Sequence, residues 1–181
     1  MSAGVPPEIT TRRATPSDAA LLAELGASTF SDTFAAENTH EDIAAYLSDA
    51  FGEEQQRAEL EDPDVTVFFA ERAGEVVGYV MLREGPAPPM VRGFDVLEIA
   101  RFYARQHAKG TGVGPVLMQR VIHEAAARGK EALWLGVWEK NARAIAFYGR
   151  WDFFEAGTQP FKLGDDEQVD LVMVRRIARE S

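Results

Sequence analysis

Apolar positions recur with a helical period through the first third of the chain. Over residues 19–30 and again over 41–51 they return every three or four positions, which is typical of amphipathic helices. Thr15 precedes the first of these helices as a candidate N-cap, and a polar third helix is predicted over residues 53–61. A loosely alternating stretch at residues 8–13 predicts one strand ahead of all three helices.

In the rest of the chain the apolar period shortens to that of strands. Two β-rich runs, at residues 65–71 and 76–82, flank the turn Ala73-Gly74-Glu75 and predict a hairpin. The order of elements predicts an α+β fold with a strand–loop–helix–strand unit in its second half. Without a repeat, a low-complexity tract or a linker, residues 1–181 are expected to form one domain. The remaining predicted elements are strands at residues 96–104, 132–138, 153–157 and 169–176 and helices at residues 115–128 and 141–150.

Composition narrows the classes of protein to consider. The chain has 181 residues, 46% of them hydrophobic, and is long enough to bury about two-thirds of its unfolded surface in one core. It contains no cysteine, which excludes disulfides and thiolate chemistry. It has no apolar run of about 18 residues, the length of a membrane span, and its N-terminus lacks the pattern of a secretory signal. A cytoplasmic protein without a membrane segment is therefore expected.

The net charge of −10 is unevenly distributed along the sequence. Residues 1–64 carry 14 acidic side chains against three basic ones, and the remainder of the chain is close to neutral. A protein that binds nucleic acid normally has a basic surface, so no nucleic-acid partner is expected. The acidic third either attracts a cationic partner or forms a solvated face that favours solubility.

A glycine-rich turn provides the strongest candidate binding site. Gly110, Gly112 and Gly114 alternate directly ahead of the helix predicted at residues 115–128. Glycine permits positive φ angles and close approach of the backbone, so successive N–H groups can converge on a phosphate at the positive end of the helix. Lys109 would add a cation to this site. The alternative is a tight strand–helix turn that binds no ligand.

Two other nucleotide-binding motifs do not fit this turn. The Walker motif requires Gly-Lys-Ser/Thr after the glycines, and that sequence is absent. The Rossmann motif requires glycines directly after a strand, whereas here they begin several residues after Ala104. No acidic residue follows a second strand at the distance that the Rossmann motif needs.

A second candidate site follows the strand predicted at residues 132–138. Asn141 suits a helix N-cap, and the short helix that it begins carries Phe147 and Tyr148. Packing in the core is the alternative explanation for both aromatic side chains.

Together these motifs resemble those of the GNAT superfamily of acyl-CoA-dependent N-acetyltransferases. The resemblance runs from about Ile9 to Arg176 and includes the glycine turn and the pattern Asn-x-x-Ala-x-x-Phe-Tyr at residues 141–148. It implies a mixed, mostly antiparallel sheet of six to seven strands, flanked by helices and splayed between the fourth and fifth strands. Further stretches are similar to the PaiA-type branch, which is associated with N-acetylation of spermidine and spermine: residues 28–34, 102–103, 133–141 and 163–166.

The resemblance implies a binding site for acetyl-CoA. The superfamily turn Gln/Arg-x-x-Gly-x-Gly/Ala matches residues 109–114, whose amides would hold the pyrophosphate, and residues 102–104 would pair with the pantetheine arm. Asn141 would contact the same arm, and Tyr148 would stand near the sulfur. This sequence departs from the pattern at Lys109, where Gln or Arg is usual, and at Asp152, where glycine is usual. The implied cofactor-binding residues are Phe102, Tyr103, Ala104, Lys109, Gly110, Thr111, Gly112, Val113, Gly114, Asn141, Arg143 and Tyr148.

Acetyl transfer to an amine requires a proton acceptor, because an alkyl amine of pKa about 10.4 is almost fully protonated at neutral pH. The resemblance implies that Glu98 is this base and that Tyr148 is the acid that protonates the leaving thiolate. Alternatively, Glu98 is only an exposed carboxylate on a strand, and Tyr148 is only a packing residue. His40, His107 and His123 are too scattered for the spacing of metal ligands, so no metal is expected.

The function expected from the sequence is N-acetyl transfer from acetyl-CoA to a small cationic amine. A polyamine is the expected acceptor, and its amine is expected to attack the thioester directly. The protein itself is expected to be a monomer or a homodimer. Asp32, Glu37, Glu41 and Asp42 lie in a stretch without basic residues and would attract this amine. Two alternatives stay open: acetylation of an antibiotic, an amino acid or a protein N-terminus, and a non-catalytic module that binds acyl-CoA.

Overall fold

Seven strands form one mixed sheet with helices on both faces in the computed structural model, which describes residues 7–34 and 38–178. The strand order is β1-β2-β3-β4-β5-β7-β6, which confirms the expected α+β class and strand number. In chain order the elements are β1 (Ile9–Arg13), α1 (Ala19–Phe34), α2 (His40–Ala50), α3 (Glu53–Glu61), β2 (Val65–Arg72), β3 (Glu75–Arg83), β4 (Val96–Ala104), α4 (Val113–Ala127), β5 (Ala132–Trp138), α5 (Ala142–Arg150), β6 (Phe154–Leu163) and β7 (Asp166–Arg176).

The sheet is open between its fourth and fifth strands. Strands β4 and β5 run parallel and pair only from Val96, opposite Ala132, to Glu98, opposite Trp134. Beyond that point β4 pairs with β3 alone and β5 pairs with β7 alone. Ala100 is an extra residue in the register between β4 and β3, and such a bulge bends the strand where the gap begins. The splay implied by the resemblance is therefore confirmed.

Helix α4 covers one face of the sheet. Its side chains Leu117, Met118 and Val121 are fully buried and pack into one cluster with Leu97 of β4 and Leu133 of β5. Burying a side chain of this size contributes about 1.5–3 kcal/mol, so these contacts hold α4 firmly across the parallel pair. The N-terminus of α4 is consequently fixed beside the gap.

Helix α1 covers the opposite face. Leu22 and Leu25 are fully buried and pack with Tyr79 and Met81 of β3. The last turns of α1 continue over the gap itself, where Phe30 and other aromatic residues form a separate cluster. None of the helices in the described residues has the length and apolar character needed to cross a membrane.

Strand β6 is longer than the sequence predicted. A strand was expected at residues 153–157, but β6 has 10 residues and forms a long hairpin with β7. Because β6 is an edge strand, its side chains alternate weakly between buried and exposed, and Pro160 is tolerated within it. The alternation of apolar and polar residues in the β6 sequence is correspondingly weak, which explains why the predicted strand was too short.

Asp152, which replaces the expected glycine, preserves the turn between α5 and β6. Its φ angle of 66° is left-handed, and aspartate is one of the few residues other than glycine that adopt this conformation. The Asp152 carboxylate lies 3.9 Å from Nη2 of Arg175. The backbone N–H of Phe153 donates to the carbonyl of Tyr148 at 3.1 Å, so the turn closes normally.

Gly78 of β3 occupies a position where no side chain fits. A Cβ there would lie 2.7 Å from Cγ1 of Val113 and 2.8 Å from the carbonyl oxygen of Tyr103. We expect Gly78→Ala to lower the free energy of unfolding by about 1–3 kcal/mol, because it overpacks the contact between β3, β4 and α4. Denaturant unfolding measures this change.

The matched control is Gly85→Ala, since a Cβ at Gly85 would meet no atom within 4 Å. This control should change the free energy of unfolding by less than about 0.5 kcal/mol. Equal losses of stability in the two variants would show that close packing at Gly78 is not the cause.

Candidate active site

The gap between β4 and β5 contains two cavities. The larger, of about 430 Å³, is named the groove here; it lies against the glycine turn and α5. The smaller, of about 150 Å³, is named the chamber; it lies beneath α1 and α2. Phe102, Tyr103, Asn141 and Tyr148 line both cavities. The groove is further lined by Ala104, Lys109, Gly112 and Arg143, and the chamber by Phe34, Tyr46, Arg101, Gly136, Phe161 and Asp170.

The glycine turn presents free backbone N–H groups to the groove. Gly110 and Gly112 have φ angles of 78° and 101°, which favour glycine, and Gly112 is the N-cap of α4. Among the described residues, the N–H groups of Gly112, Val113 and Gly114 have no acceptor. The first turn of a helix leaves these groups unpaired and carries partial positive charge. The turn is therefore suited to hold an anion.

Two of the predicted turn residues have structural roles as well. A Cβ on Gly114 would lie 3.0 Å from the ring of Phe147, so glycine is needed here for α4 to pack against α5. Thr111 is not among the residues that line the groove. Its hydroxyl accepts a hydrogen bond from Nη1 of Arg72 at 2.9 Å and donates to the carbonyl of Ala108.

Basic side chains line the same groove. Lys109, Arg143 and Arg150 are all part of its wall. Burial and the charge of Arg143 lower the pKa of Lys109, whereas the charge of Asp32 opposes this shift. Neither Lys109 nor Arg143 forms an ion pair with any residue that the structure describes. An anion bound at the turn would relieve the repulsion between these two cations.

The edge of β4 that faces the gap offers unpaired backbone to an extended ligand. On its other side, Phe102 pairs with Val80, and Ala104 pairs with Gly78. Asn141 caps α5 as predicted, because its Oδ1 accepts the N–H of Ala144 at 3.2 Å. An extended chain in the groove would therefore run between an open strand edge and the start of α5.

Tyr148 lies where the groove and the chamber meet. Its side chain is 7% exposed and packs edge-on against Phe147 and Phe153, with ring centroids 5.4 and 5.6 Å away. Burial raises the pKa of Tyr148 above its usual range, and no charged residue contributes to this shift. The hydroxyl therefore stays protonated at neutral pH and is available as a proton donor.

Glu98 lies at the closed end of the gap and does not line either cavity. Its side chain is 22% exposed, with Oε2 at 3.9 Å from Nη1 of Arg83. Burial raises the pKa of Glu98, and the Arg83 charge partly offsets this effect. Its role as a base stays a prediction. Among the residues described, no group of three or more side chains that could hold a metal ion comes together.

The acidic residues predicted to attract the amine, between Asp32 and Asp42, have different surroundings in the structure. Asp32 and Glu41 are exposed, and neither lines the chamber. Asp42 is partly buried and accepts a hydrogen bond from the backbone N–H of Asp165 at 3.4 Å. Glu37 lies outside the described residues.

Asp170 is the site residue that the sequence analysis missed. It lies in β7 opposite Trp138 of β5 and Gln159 of β6, and its side chain lines the chamber. Burial raises the pKa of Asp170 to about 6. The sequence contains one indication of this residue, a carboxylate between the apolar residues Val169 and Leu171. The chamber that Asp170 lines forms only when three distant strands and α2 assemble.

Comparison with known sequences decides the family. The sequence profile of the Acetyltransferase (GNAT) family matches residues 30–153. The chain belongs to this family. An uncharacterized N-acetyltransferase of Lactobacillus delbrueckii subsp. lactis is 33% identical over 149 residues, which are 82% of this chain and 86% of the relative. Another, from Mycobacterium bovis, is 34% identical over 161 residues, which are 88% of this chain and 98% of the relative.

A solved structure supports the fold of this GNAT acetyltransferase. The PaiA N-acetyltransferase of Thermoplasma acidophilum, crystallised in complex with coenzyme A, superposes with a TM-score of 0.76. The match covers 93% of this chain and 99% of that one at 17% identity. At this identity the likeness establishes the shared fold, while the PaiA-type acceptor stays a prediction.

The partly buried position of Asp170 predicts a measurable stability cost. Its pKa of about 6 in the native state exceeds the usual aspartate value of 3.8, so the native state holds the proton more tightly than the unfolded chain. The free energy of unfolding should therefore fall as pH rises between these two values, and the full cost applies above pH 6. At pH 8 we expect Asp170→Asn to raise the free energy of unfolding by about 1–3 kcal/mol.

Denaturant unfolding at pH 5 and pH 8 measures this difference. Glu167→Gln, at an exposed position of the same strand, is the control and should leave the pH dependence of stability unchanged. A variant at Asp170 that is no more stable than the original protein at pH 8 would contradict the raised pKa.

Proposed function

We propose that this acetyltransferase moves the acetyl group of acetyl-CoA to the primary amine of a small cationic acceptor, with a polyamine such as spermidine or spermine as the acceptor. The observation that carries the proposal is the junction of two cavities whose unpaired charges have opposite signs. A groove with free amides and basic side chains meets, at Asn141 and Tyr148, a chamber that contains a carboxylate.

The groove fits the chemistry of acetyl-CoA. The amides of Gly112, Val113 and Gly114, together with Lys109 and Arg143, would hold the negatively charged pyrophosphate. The open edge of β4 would pair with the amides of the pantetheine arm. The bound thioester supplies the acetyl group. The coenzyme A in the Thermoplasma acidophilum protein is consistent with this assignment.

Three groups of this chain would serve the transfer itself. Glu98 would accept the proton of the acceptor ammonium through water, since its raised pKa brings it closer to neutral pH. A backbone N–H on the open edge of β4 would stabilise the negative charge that develops on the carbonyl oxygen. Tyr148, which is protonated at neutral pH, would donate a proton to the leaving sulfur.

The charge of the protein supports a cationic acceptor. The net charge is −10, and Asp170 provides a carboxylate inside the chamber. A non-catalytic acyl-CoA-binding module has no need for a protonated tyrosine at the junction of two cavities, so an enzyme is favoured. Acetylation of an antibiotic, an amino acid or a protein N-terminus is the competing activity.

An acetyl-CoA consumption assay with spermidine, spermine, an aminoglycoside, free amino acids and a short peptide tests the proposal. We expect the highest kcat/KM with a polyamine, because it carries several ammonium groups toward a negatively charged protein. A clear preference for an acidic or uncharged acceptor would refute the polyamine assignment and leave acetyl transfer standing.

The basic side chains that line the groove are expected to contribute to the affinity for coenzyme A. Replacement by Lys109→Gln or Arg143→Gln removes a charge-assisted contact to phosphate and should raise the Kd for coenzyme A about 10-fold or more. Calorimetric titration measures the Kd. Lys162→Gln, at an exposed position of β6, is the matched control and should bind coenzyme A normally. Unchanged affinity in both groove variants would reject this site.

The position of Tyr148 predicts a defect in turnover alone. The change Tyr148→Phe keeps the ring contacts with Phe147 and Phe153 and removes only the proton donor. We expect kcat to fall about 10²–10⁴-fold while the Kd for coenzyme A stays unchanged. Steady-state kinetics and calorimetry measure the two quantities. Turnover equal to that of the original enzyme would make Tyr148 a packing residue.

A further inference from the structure

We infer that Asp170 receives the ammonium group of the acceptor amine and thereby selects a cationic acceptor. The inference rests on the proposed function, because it names the residue that would recognise the second substrate. It is carried by the placement of a carboxylate without a cationic partner inside an aromatic chamber in the gap between β4 and β5.

The surrounding strands keep the Asp170 carboxylate open to the chamber. Its neighbours across the sheet are Trp138 on β5 and Gln159 on β6. Gly136, two residues before Trp138, leaves the space beside it empty: a Cβ there would lie 3.0 Å from Oδ2 of Asp170 and 2.9 Å from Nε2 of Gln159. Any larger residue at position 136 would therefore crowd the Asp170 carboxylate and the Gln159 amide.

The negative charge of Asp170 is uncompensated. Among the described residues, no side chain forms an ion pair or a hydrogen bond with its carboxylate. The basic residue that lines the same chamber, Arg101, is committed elsewhere: its Nη1 lies 3.1 Å from Oε2 of Glu59 and donates to Oε1 of Gln56 at 2.9 Å. A cationic ligand would thus meet one free carboxylate and no free cation in the chamber.

Aromatic side chains form much of the remaining wall. Phe30 stacks on Phe34 with a centroid distance of 4.4 Å and on Tyr46 with a centroid distance of 4.5 Å. Phe161 meets Tyr46 edge-on at 5.7 Å, and Trp138 lies 5.1 Å from Phe34. Faces of aromatic rings attract ammonium groups, and their apolar surface suits an alkyl chain. The volume of about 150 Å³ suits a narrow alkylammonium better than a drug-sized ring system.

A charged side chain in these surroundings destabilises the protein unless something compensates it. Burial without a partner is unfavourable for a carboxylate, and such groups concentrate at functional sites. Binding of an ammonium would supply the missing counter-charge and form a charge-assisted hydrogen bond. The carboxylate is ionised above a pKa of about 6, so it is ready to accept a cation at neutral pH.

The other ionisable groups that line the chamber are three tyrosines and one arginine. They are Tyr46 on α2, Arg101 and Tyr103 on β4, and Tyr148 on α5. Burial raises the pKa of all three tyrosines above their usual value. Glu98 also has a raised pKa, but it does not line the chamber. A change near pH 6 in the KM for the acceptor, rather than in kcat, would therefore report on Asp170.

Kinetics with spermidine as the probe test the inference. In Asp170→Asn, kcat/KM for spermidine should fall about 10- to 100-fold, mainly through a higher KM, because a charge-assisted contact is lost. Asp170→Glu should recover part of this loss. The exposed control Glu167→Gln should behave like the original enzyme, and all variants should keep the original Kd for coenzyme A.

The pH profile separates recognition from a structural role. In the original enzyme kcat/KM for spermidine should decline as pH falls through about 6, where the Asp170 carboxylate becomes protonated. Asp170→Asn should lose the part of this decline that comes from KM, while the decline in kcat that protonation of Glu98 causes should remain. If this variant keeps the original KM and the original pH profile, the inference is wrong even though acetyl transfer stands.

A binding experiment decides the inference independently of acetyl transfer. The pKa of the Asp170 carboxyl, followed by carbon-13 NMR with n-butylamine as the probe, should fall when the amine binds, because a bound cation favours the ionised carboxylate. If the enzyme acetylates no polyamine but this pKa still falls, the proposed polyamine acceptor fails and recognition of an ammonium group by Asp170 stands. A pKa that does not respond to the amine overturns the inference.

Discussion

The early end of pairing between β4 and β5 is the constraint on which the site depends. Pairing of the two strands stops at Glu98 and Trp134, and the bulge at Ala100 turns β4 away. An unpaired backbone group that is buried costs free energy comparable to a lost hydrogen bond. The gap is therefore stable only as a cavity that water or a ligand can reach. Both cavities of the site lie in this gap.

Packing on the two faces of the sheet holds the gap open. On one face, α4 is anchored by Leu117 and Met118, and Gly78 lets its first turn approach β3 closely. On the other face, aromatic side chains of α1 and α2 fill the space over the gap, including Phe30 and Tyr46. Close-packed layers of this kind resist collapse, so the opening is a property of the core rather than of a loop.

The electrostatics of the site place opposite charges on the two sides of Tyr148. Unpaired amides and basic side chains face the groove, while the carboxylate of Asp170 faces the chamber. Each uncompensated charge weakens the folded protein until its ligand arrives, and ligand binding to the native state recovers that stability. A site built in this way suits the anionic and cationic substrates proposed above, one on each side of the tyrosine.

Local sequence determined the helices and strands and the part of the site around the groove. The glycine turn, the cap at Asn141 and the position of Tyr148 follow from neighbours along the chain, and their pattern was sufficient to identify the GNAT family. Gly114 shows the limit of this reasoning, because its contact with Phe147 joins two separate helices.

The chamber was decided by tertiary structure alone. Asp170 becomes a chamber residue only because β7 lies between β5 and β6, which places it opposite both Trp138 and Gln159. The partner of Glu98, Arg83, is likewise supplied by a neighbouring strand. The apolar–polar period of a strand indicates which face of the sheet a side chain occupies. The order of the strands determines which residues lie next to that side chain. The sequence therefore predicted where the glycine turn lies, and only the fold determined which carboxylate faces the chamber.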